Sequence, residues 1–398
     1  VKVLDSFADT LTKIQRWGVL LALSVGALCV YGAFVDNAQF FKSYLLAYVF
    51  WVDLTVGFLG LTLLHQMAGG RWGDTVQRLF EAGTNTLPLM ALAFVPIALN
   101  LDKIYPWAVP GALAADPLLQ HKAVYLNPTA FIGRTIFYFA VWIGFAWVMN
   151  RWWRNRDQGE GGPSLRLEQG FGGLALVVFV LTASFASFDW VMTLEPDWYS
   201  TIYGLIFVMG EALAALTFTI FLLSRLVGGD MKSEAEVKGV EGYPRPIADL
   251  RNLTVAFVIL WAYMQFSQFI ITWSGNTDEE ITWVLHRGTS GWETITLTLI
   301  VLHFFAPFLL LISPMIKRSF KALAALALAI FLMRWVETFW MAMPSYYTHG
   351  LTIHWMDVAL SVAVGGLWVG WYATLLRRAP APLIDVPQSS PRGALESG

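Results

Sequence analysis

The chain has 398 residues, 57% hydrophobic and 14% charged, with a formal net charge of −2. A charged fraction well below the roughly 25% of soluble domains excludes an ordinary water-soluble globule, and the small net charge gives no footprint for nucleic acid. The single cysteine, Cys29, excludes an intrachain disulfide, a CxxC pair and a CxxCH haem-attachment motif. The chain alone therefore ligates no iron–sulfur cluster and holds no c-type haem.

Residues 1–16 set Leu4, Phe7, Leu11 and Ile14 on one helical face, away from Asp5, Asp9, Thr10 and Lys13. That spacing suits an amphipathic helix on a membrane surface; a disordered start fits the same residues. Ten apolar runs follow, near 17–35, 44–65, 86–105, 130–150, 170–192, 200–226, 251–273, 291–313, 321–343 and 355–376. Runs of about 20 apolar residues predict transmembrane helices, so the expected fold is all-α and integral to a membrane, with a ten-span domain over 17–378. The first run leads into further spans and reads as an inserted helix, with no cleavable leader evident. Residues 379–398 are rich in Pro, Ser and Gly and read as a disordered cytoplasmic tail.

Of the 26 Lys and Arg residues, all but Lys42, Lys103, Lys122, Arg134, Arg287 and Arg334 fall in the N-terminus, the C-terminus or the loops after even-numbered spans. The positive-inside rule then makes both termini cytoplasmic. Loops at 101–129, 274–290 and 344–354, and the stretch 187–204, face outward. Their length and aromatic content point to an outer protein partner, with decoration as the alternative.

An internal repeat runs through the chain. Tyr44 and Tyr48 match Tyr199 and Tyr203; Ala93-Phe94-Val95 matches Ala256-Phe257-Val258; His121-Lys122 matches His286-Arg287; Asp189-Trp190-Val191 matches Arg334-Trp335-Val336. The shared order predicts two four-helix bundles, spans 2–5 and 6–9, flanked by spans 1 and 10. Chance alignment of aromatic-rich helices is the alternative.

The stretch Ser187 to Gly204, SFDWVMTLEPDWYSTIYG, carries Asp189, Glu195 and Asp197 with Trp190, Trp198, Tyr199 and Tyr203, and no Lys or Arg. Aromatic residues of this kind favour the membrane–water boundary. The stretch reads as a membrane-embedded acid beneath an aromatic cap, or as an interfacial turn in which Pro196 breaks one helix and Asp197 or Ser200 caps the next.

Ionisable residues inside spans are the chemical signal, since each costs roughly 2.5–3.5 kcal/mol to insert. Asp53, Glu211, His303, Arg334 and Glu337 lie mid-span; Asp189 and Asp357 lie nearer the outer ends. These seven are the proton-path candidates. Arg334 and Glu337, three apart, share a helix face and can pair locally. Asp53, Glu211 and His303 need partners from other helices, protons, or water. Between Asp53 and His65, about 18 Å along a helix, only Thr55 and Thr62 are polar, so an inward route needs water. Gln265, Gln268, His286, Arg287 and Trp190 are candidates for a quinone site or an outer docking surface; local salt bridges also account for His286 and Arg287. His303 has no second histidine at its depth for bis-histidine haem, and no H-x-x-x-H or C-x-x-C ligand pair occurs, so no metal site is expected.

In SFDWVMTLEPDWYSTIYG (187–204), YMQFSQFIITWSGNTDEEITWVLHR (263–287) and RWVETFWMAMPSY (334–346), the chain resembles alternative complex III, the bacterial quinol:electron-acceptor oxidoreductases, and within it the second large membrane subunit. These subunits belong to the wider polysulfide-reductase-type membrane anchors. The resemblance covers spans 1–10. It implies a bacterial cytoplasmic-membrane protein, a homologous ten-span partner subunit, outer iron–sulfur and haem c subunits that accept the electrons, surrounding lipid, and a quinol of menaquinol type. It also implies a proton-conducting or quinone-binding role without a redox cofactor of its own. A secondary transporter and a purely structural anchor are the competing readings.

Overall fold

The computed structural model describes residues 2–227 and 245–378. The predicted tail 379–398 lies outside the described residues. Ten helices frame the fold: α1 (Lys2–Val35), α2 (Asn37–Ala68), α3 (Arg71–Thr84), α4 (Pro128–Asp157), α5 (Leu165–Trp190), α6 (Tyr203–Val227), α7 (Arg245–Gly275), α8 (Trp292–Ile312), α9 (Phe320–Ala342) and α10 (Trp355–Arg378). All but α3 are long and apolar enough to cross a membrane, nine among the described residues. No strand occurs among those residues. Over the described residues the chain is an all-helical, multi-pass membrane protein.

Local chemistry sets the helix starts. Asp36, Asn127, Ser164 and Ser319 each accept a hydrogen bond from the backbone N–H three residues on, at 3.0, 2.8, 3.4 and 3.3 Å, satisfying donors that the first helical turn leaves free. Pro128 occupies the first position of α4, where its missing N–H costs nothing. Between α2 and α3 the chain reverses at Gly69 and Gly70, with φ of 70° and 108°, conformations that side chains with a Cβ rarely adopt.

The structure departs from the expected helices in four places. The predicted surface helix and first span form one unbroken helix through residues 16 and 17. The third predicted span, 86–105, is not one continuous helix but three pieces, Leu87–Ala93, Val95–Ala98 and Leu101–Ile104. Pro96 has no N–H to give to the Leu92 carbonyl, which accounts for the first break at Phe94. In α8 the segment Leu299–Phe305 is a π-helix. The helix before Pro196 already ends at Trp190, and Ser200, expected as a cap, gives its hydroxyl to Gln268 instead.

α2 is the axis of the fold. It is apolar all round, and its most hydrophobic 18 residues are wholly buried, as expected of a helix with neighbours on every side. It packs on α3, α5, α6 and α10, while α1 lies along α10. α6 in turn packs on α5, α7 and α9, and α8 packs one face on α7 and α9. The α2–α6 contact is close because Gly57 faces the Glu211 backbone carbonyl, where a Cβ would clash. Large apolar side chains on α1, α4, α5, α7 and α8, such as Leu23, Ile136, Leu174, Phe266 and Leu302, point outward, the surface a lipid-facing helix presents.

Candidate functional site: a buried ionisable cluster

Five of the seven proton-path candidates meet at the crossing of α2, α6, α8 and α9. Arg334 pairs directly with Glu337 one turn on. The Arg334 Nη2 atom stands 3.9 Å from Asp53 Oδ2. His303 Nε2 lies 3.4 Å from Glu337 Oε2. Trp261 Nε1 and Gln265 Nε2 donate to Glu337 Oε1 at 2.6 and 3.0 Å. The Trp261 ring meets the His303 ring edge to face, 4.4 Å between centroids. Glu211 sits on α6 beside Gly210, whose bare Cα lets the Arg334 guanidinium rest against the helix.

The cluster is buried, and several of its polar atoms make no hydrogen bond among the described residues. Asp53, Glu211, His303, Arg334 and Glu337 are 5%, 4%, 0%, 3% and 2% exposed. Asp53 Oδ2, Glu211 Oε2, both nitrogens of His303, Arg334 Nε and, one turn from Asp53, Tyr48 Oη find no hydrogen-bond partner among the described residues. Buried polar atoms are nearly always paired, and a group of such orphans marks a place where water, a ligand or an exchanging proton belongs.

The other two candidates are elsewhere and fully engaged. Asp189 receives Arg134 Nε and Nη2 at 2.9 and 2.8 Å and Tyr138 Oη at 2.8 Å, a bidentate fork of the strong kind. Arg134 also donates to the Tyr125 carbonyl at 3.0 Å and covers the Tyr125 ring. Asp357 is held by neutral donors: Ser43 at 2.5 Å, Gln39 at 3.3 Å, Tyr347 at 3.0 Å and the His354 backbone N–H at 2.8 Å. The last contact is the reach-back of an acid at the third helical position to its N-cap.

The docking and quinone candidates also separate. Gln265 belongs to the central cluster. Gln268 accepts from Ser200 and donates to Thr272. Trp190 is buried, donates to Thr135 at 3.2 Å and packs on Tyr48 and Phe94. Arg287, 2% exposed, binds the carbonyls of Trp283, Trp340 and Met341 and pairs with Glu195 at 2.9 Å. His286, 45% exposed, reaches Glu195 from outside at 3.3 Å, and Ser345 donates to Glu195 at 2.9 Å. Burial pushes the Glu195 carboxyl up, but Arg287, Ser345 and His286 outweigh it and hold the group below its ordinary value. Of the docking candidates, His286 alone offers an open side chain.

Trp261 is not among the residues singled out from the sequence, and Arg134 appears there without its partner. The tryptophan spacing around Gln265 carries a usable signal: Trp261 and Gln265 are four apart and so share a face. On the side of Asp53 toward His65, Phe58, Phe218, Trp368 and Tyr372 stack with centroids 5.0–6.3 Å apart. The hydroxyl of Thr55 is taken up by Trp51, Thr86 and Trp368, and that of Thr62 by the Phe58 carbonyl. Among the described residues no group of three His, Cys, Asp or Glu side chains is arranged to hold a metal ion.

No protein-family model matches this chain. No curated protein matches it either.

Proposed function

We propose that the chain is a proton-handling membrane subunit of a quinol:electron-acceptor oxidoreductase, a quinol-oxidising respiratory or photosynthetic electron-transfer complex. The observation that supports this reading is the charge balance of the central cluster. Three buried carboxyls stand against one guanidinium: Glu337 pairs with Arg334, Asp53 stands 3.9 Å from it, and Glu211, next to the Gly210 on which the guanidinium rests, has an oxygen with no hydrogen-bond partner among the described residues. Full ionisation leaves two negative charges in a low-dielectric interior, at a cost of roughly several kcal/mol each. Protons on two of Asp53, Glu211 and His303 restore neutrality. Glu337 is the fixed counter-ion, since it alone accepts from Arg334, Trp261 and Gln265.

In this reading quinol, of menaquinol type, is oxidised elsewhere in the assembly. Iron–sulfur clusters and haem c reside in outer partner subunits, a homologous ten-span subunit lies alongside, and the whole sits in a bacterial cytoplasmic membrane. Both termini are cytoplasmic, and the broken stretch 86–105 completes ten crossings. The packing of α2 with α4's neighbour α5, and of α6 with α7 and α9, agrees with two four-helix bundles, spans 2–5 and 6–9, flanked by α1 and α10.

A second reading, a purely structural anchor, draws on the Arg134–Asp189 and Arg287–Glu195 pairs, which spend their charges on joining helices and loops. The transporter reading is weaker. Two spans are interrupted, but the third and the eighth are not equivalent in a 2–5 and 6–9 repeat, whereas transporter folds break helices at matching positions. The test is Asp53→Asn and Glu211→Gln in the assembled complex. Proton handling predicts normal assembly with altered proton release per turnover; unchanged release with both leaves the anchor.

A further inference from the structure

His303 sits inside the one π-helical segment among the described residues. Single wide turns of this kind gather at functional sites, and here the sequence explains the turn. An α-helix would bond the His303 carbonyl to the N–H of residue 307. That residue is Pro307, which has no N–H and whose ring crowds the carbonyl four residues back. The helix widens instead: the Ala306 N–H bonds to the Val301 carbonyl, five residues back.

The widening sets which side chain enters the protein. Leu299, His303, Pro307 and Leu311 are buried at steps of four residues. A regular α-helix turns about 100° per residue, so each four-residue step drifts by about 40°, and the run would leave the core by Leu311. A wider turn takes up that drift. Ile300, Val301, Leu302 and Phe305 are 46%, 43%, 51% and 51% exposed, so a turn of register would exchange the imidazole for an apolar side chain.

We propose that Pro307 is a positioning residue for His303: by forcing the wide turn it directs the imidazole against Glu337 and Trp261. The inference deepens the proton-handling reading and rests on the same cluster. It assigns the orientation of the cluster's histidine to a residue that is itself neither charged nor titratable. His303 Nε2 faces Glu337 Oε2 at 3.4 Å and Nδ1 has no hydrogen-bond partner among the described residues, so the ring's place is set by backbone register together with the Glu337 and Trp261 contacts.

The experiment uses the full chain in lipid nanodiscs, labelled with 15N-histidine. His303→Gln assigns the His303 ring signals among the six histidines. Glu337→Gln should shift those signals in the native background and leave them unmoved in Pro307→Ala, where the turn closes and the ring leaves Glu337. An equal shift in both backgrounds overturns the proposal. Should Pro307→Ala not fold, native hydrogen exchange decides. Amides of 299–305 should exchange at least tenfold faster than those of 324–331, in the middle of the regular helix α9, and equal protection overturns the proposal. Neither readout involves proton transport, so this inference and the transport reading can fail separately.

Discussion

Asp53 Oδ2 stands 3.9 Å from Arg334 Nη2, while Glu337 binds the same guanidinium directly. One cation thus serves two carboxylates of unequal claim, with Glu211 behind them on α6. The nearer acid is locked by four polar neighbours, while the oxygen of the farther one that faces the guanidinium makes no hydrogen bond among the described residues. That inequality separates a structural charge from an exchangeable one.

Glu337→Gln should strip Arg334 of its direct counter-ion and destabilise the fold by about 3–5 kcal/mol, the usual result of leaving one partner of a buried pair alone. Arg334→Met with Glu337→Leu should recover most of that loss. Thermal unfolding in one detergent checks both, and a double variant no better than the single contradicts the assignment.

The Arg134–Asp189 fork should behave as a joint between α4 and α5. Arg134→Lys keeps the charge and loses the bidentate geometry, so stability should fall by about 1–3 kcal/mol. A double-mutant cycle with Asp189→Asn measures the coupling. Proton release by the assembled complex should scale only with the amount of folded protein.

All five ionisable residues of the central cluster were legible as rare charged or titratable side chains within apolar runs, and the i,i+3 spacing of Arg334 and Glu337 announced their pairing. What brings Asp53 and Glu211 to that pair was not legible, because it depends on α2 crossing α6 at Gly57 and on Gly210 clearing room for a guanidinium. Depth along a helix placed Asp189 among the proton-path candidates, yet its partner, Arg134, lies 55 residues away on another helix. The third span looked continuous by hydropathy; Pro96 is the residue in it that marks the first break, and no proline marks the second, between Ala98 and Leu101.

Gly57→Ala should force α2 away from the Glu211 carbonyl and cost about 1–3 kcal/mol, as overpacking of a tight contact does. Gly210→Ala should instead displace Arg334. Unfolding curves report both, and the second should also change the response of stability to Glu337→Gln. Additive effects contradict the contact.

Acid should loosen the outer face through Glu195. Its carboxyl is held below the ordinary 4.5 by Arg287. A group lowered on folding contributes stability that is whole above 4.5 and lost as pH falls through the lower folded value. Protease nicking of 187–204 should therefore rise below pH 4.5 in the native chain. In Glu195→Gln it should already be raised at neutral pH and vary less with acid.

The central claim, that the buried cluster carries exchangeable protons, is tested most directly by infrared spectroscopy of the full chain in lipid. A carboxylic-acid carbonyl band should be present at neutral pH, shift on transfer to heavy water, and lose intensity in Asp53→Asn and again in Glu211→Gln. A spectrum without that band, or with a band that neither substitution alters, contradicts the account.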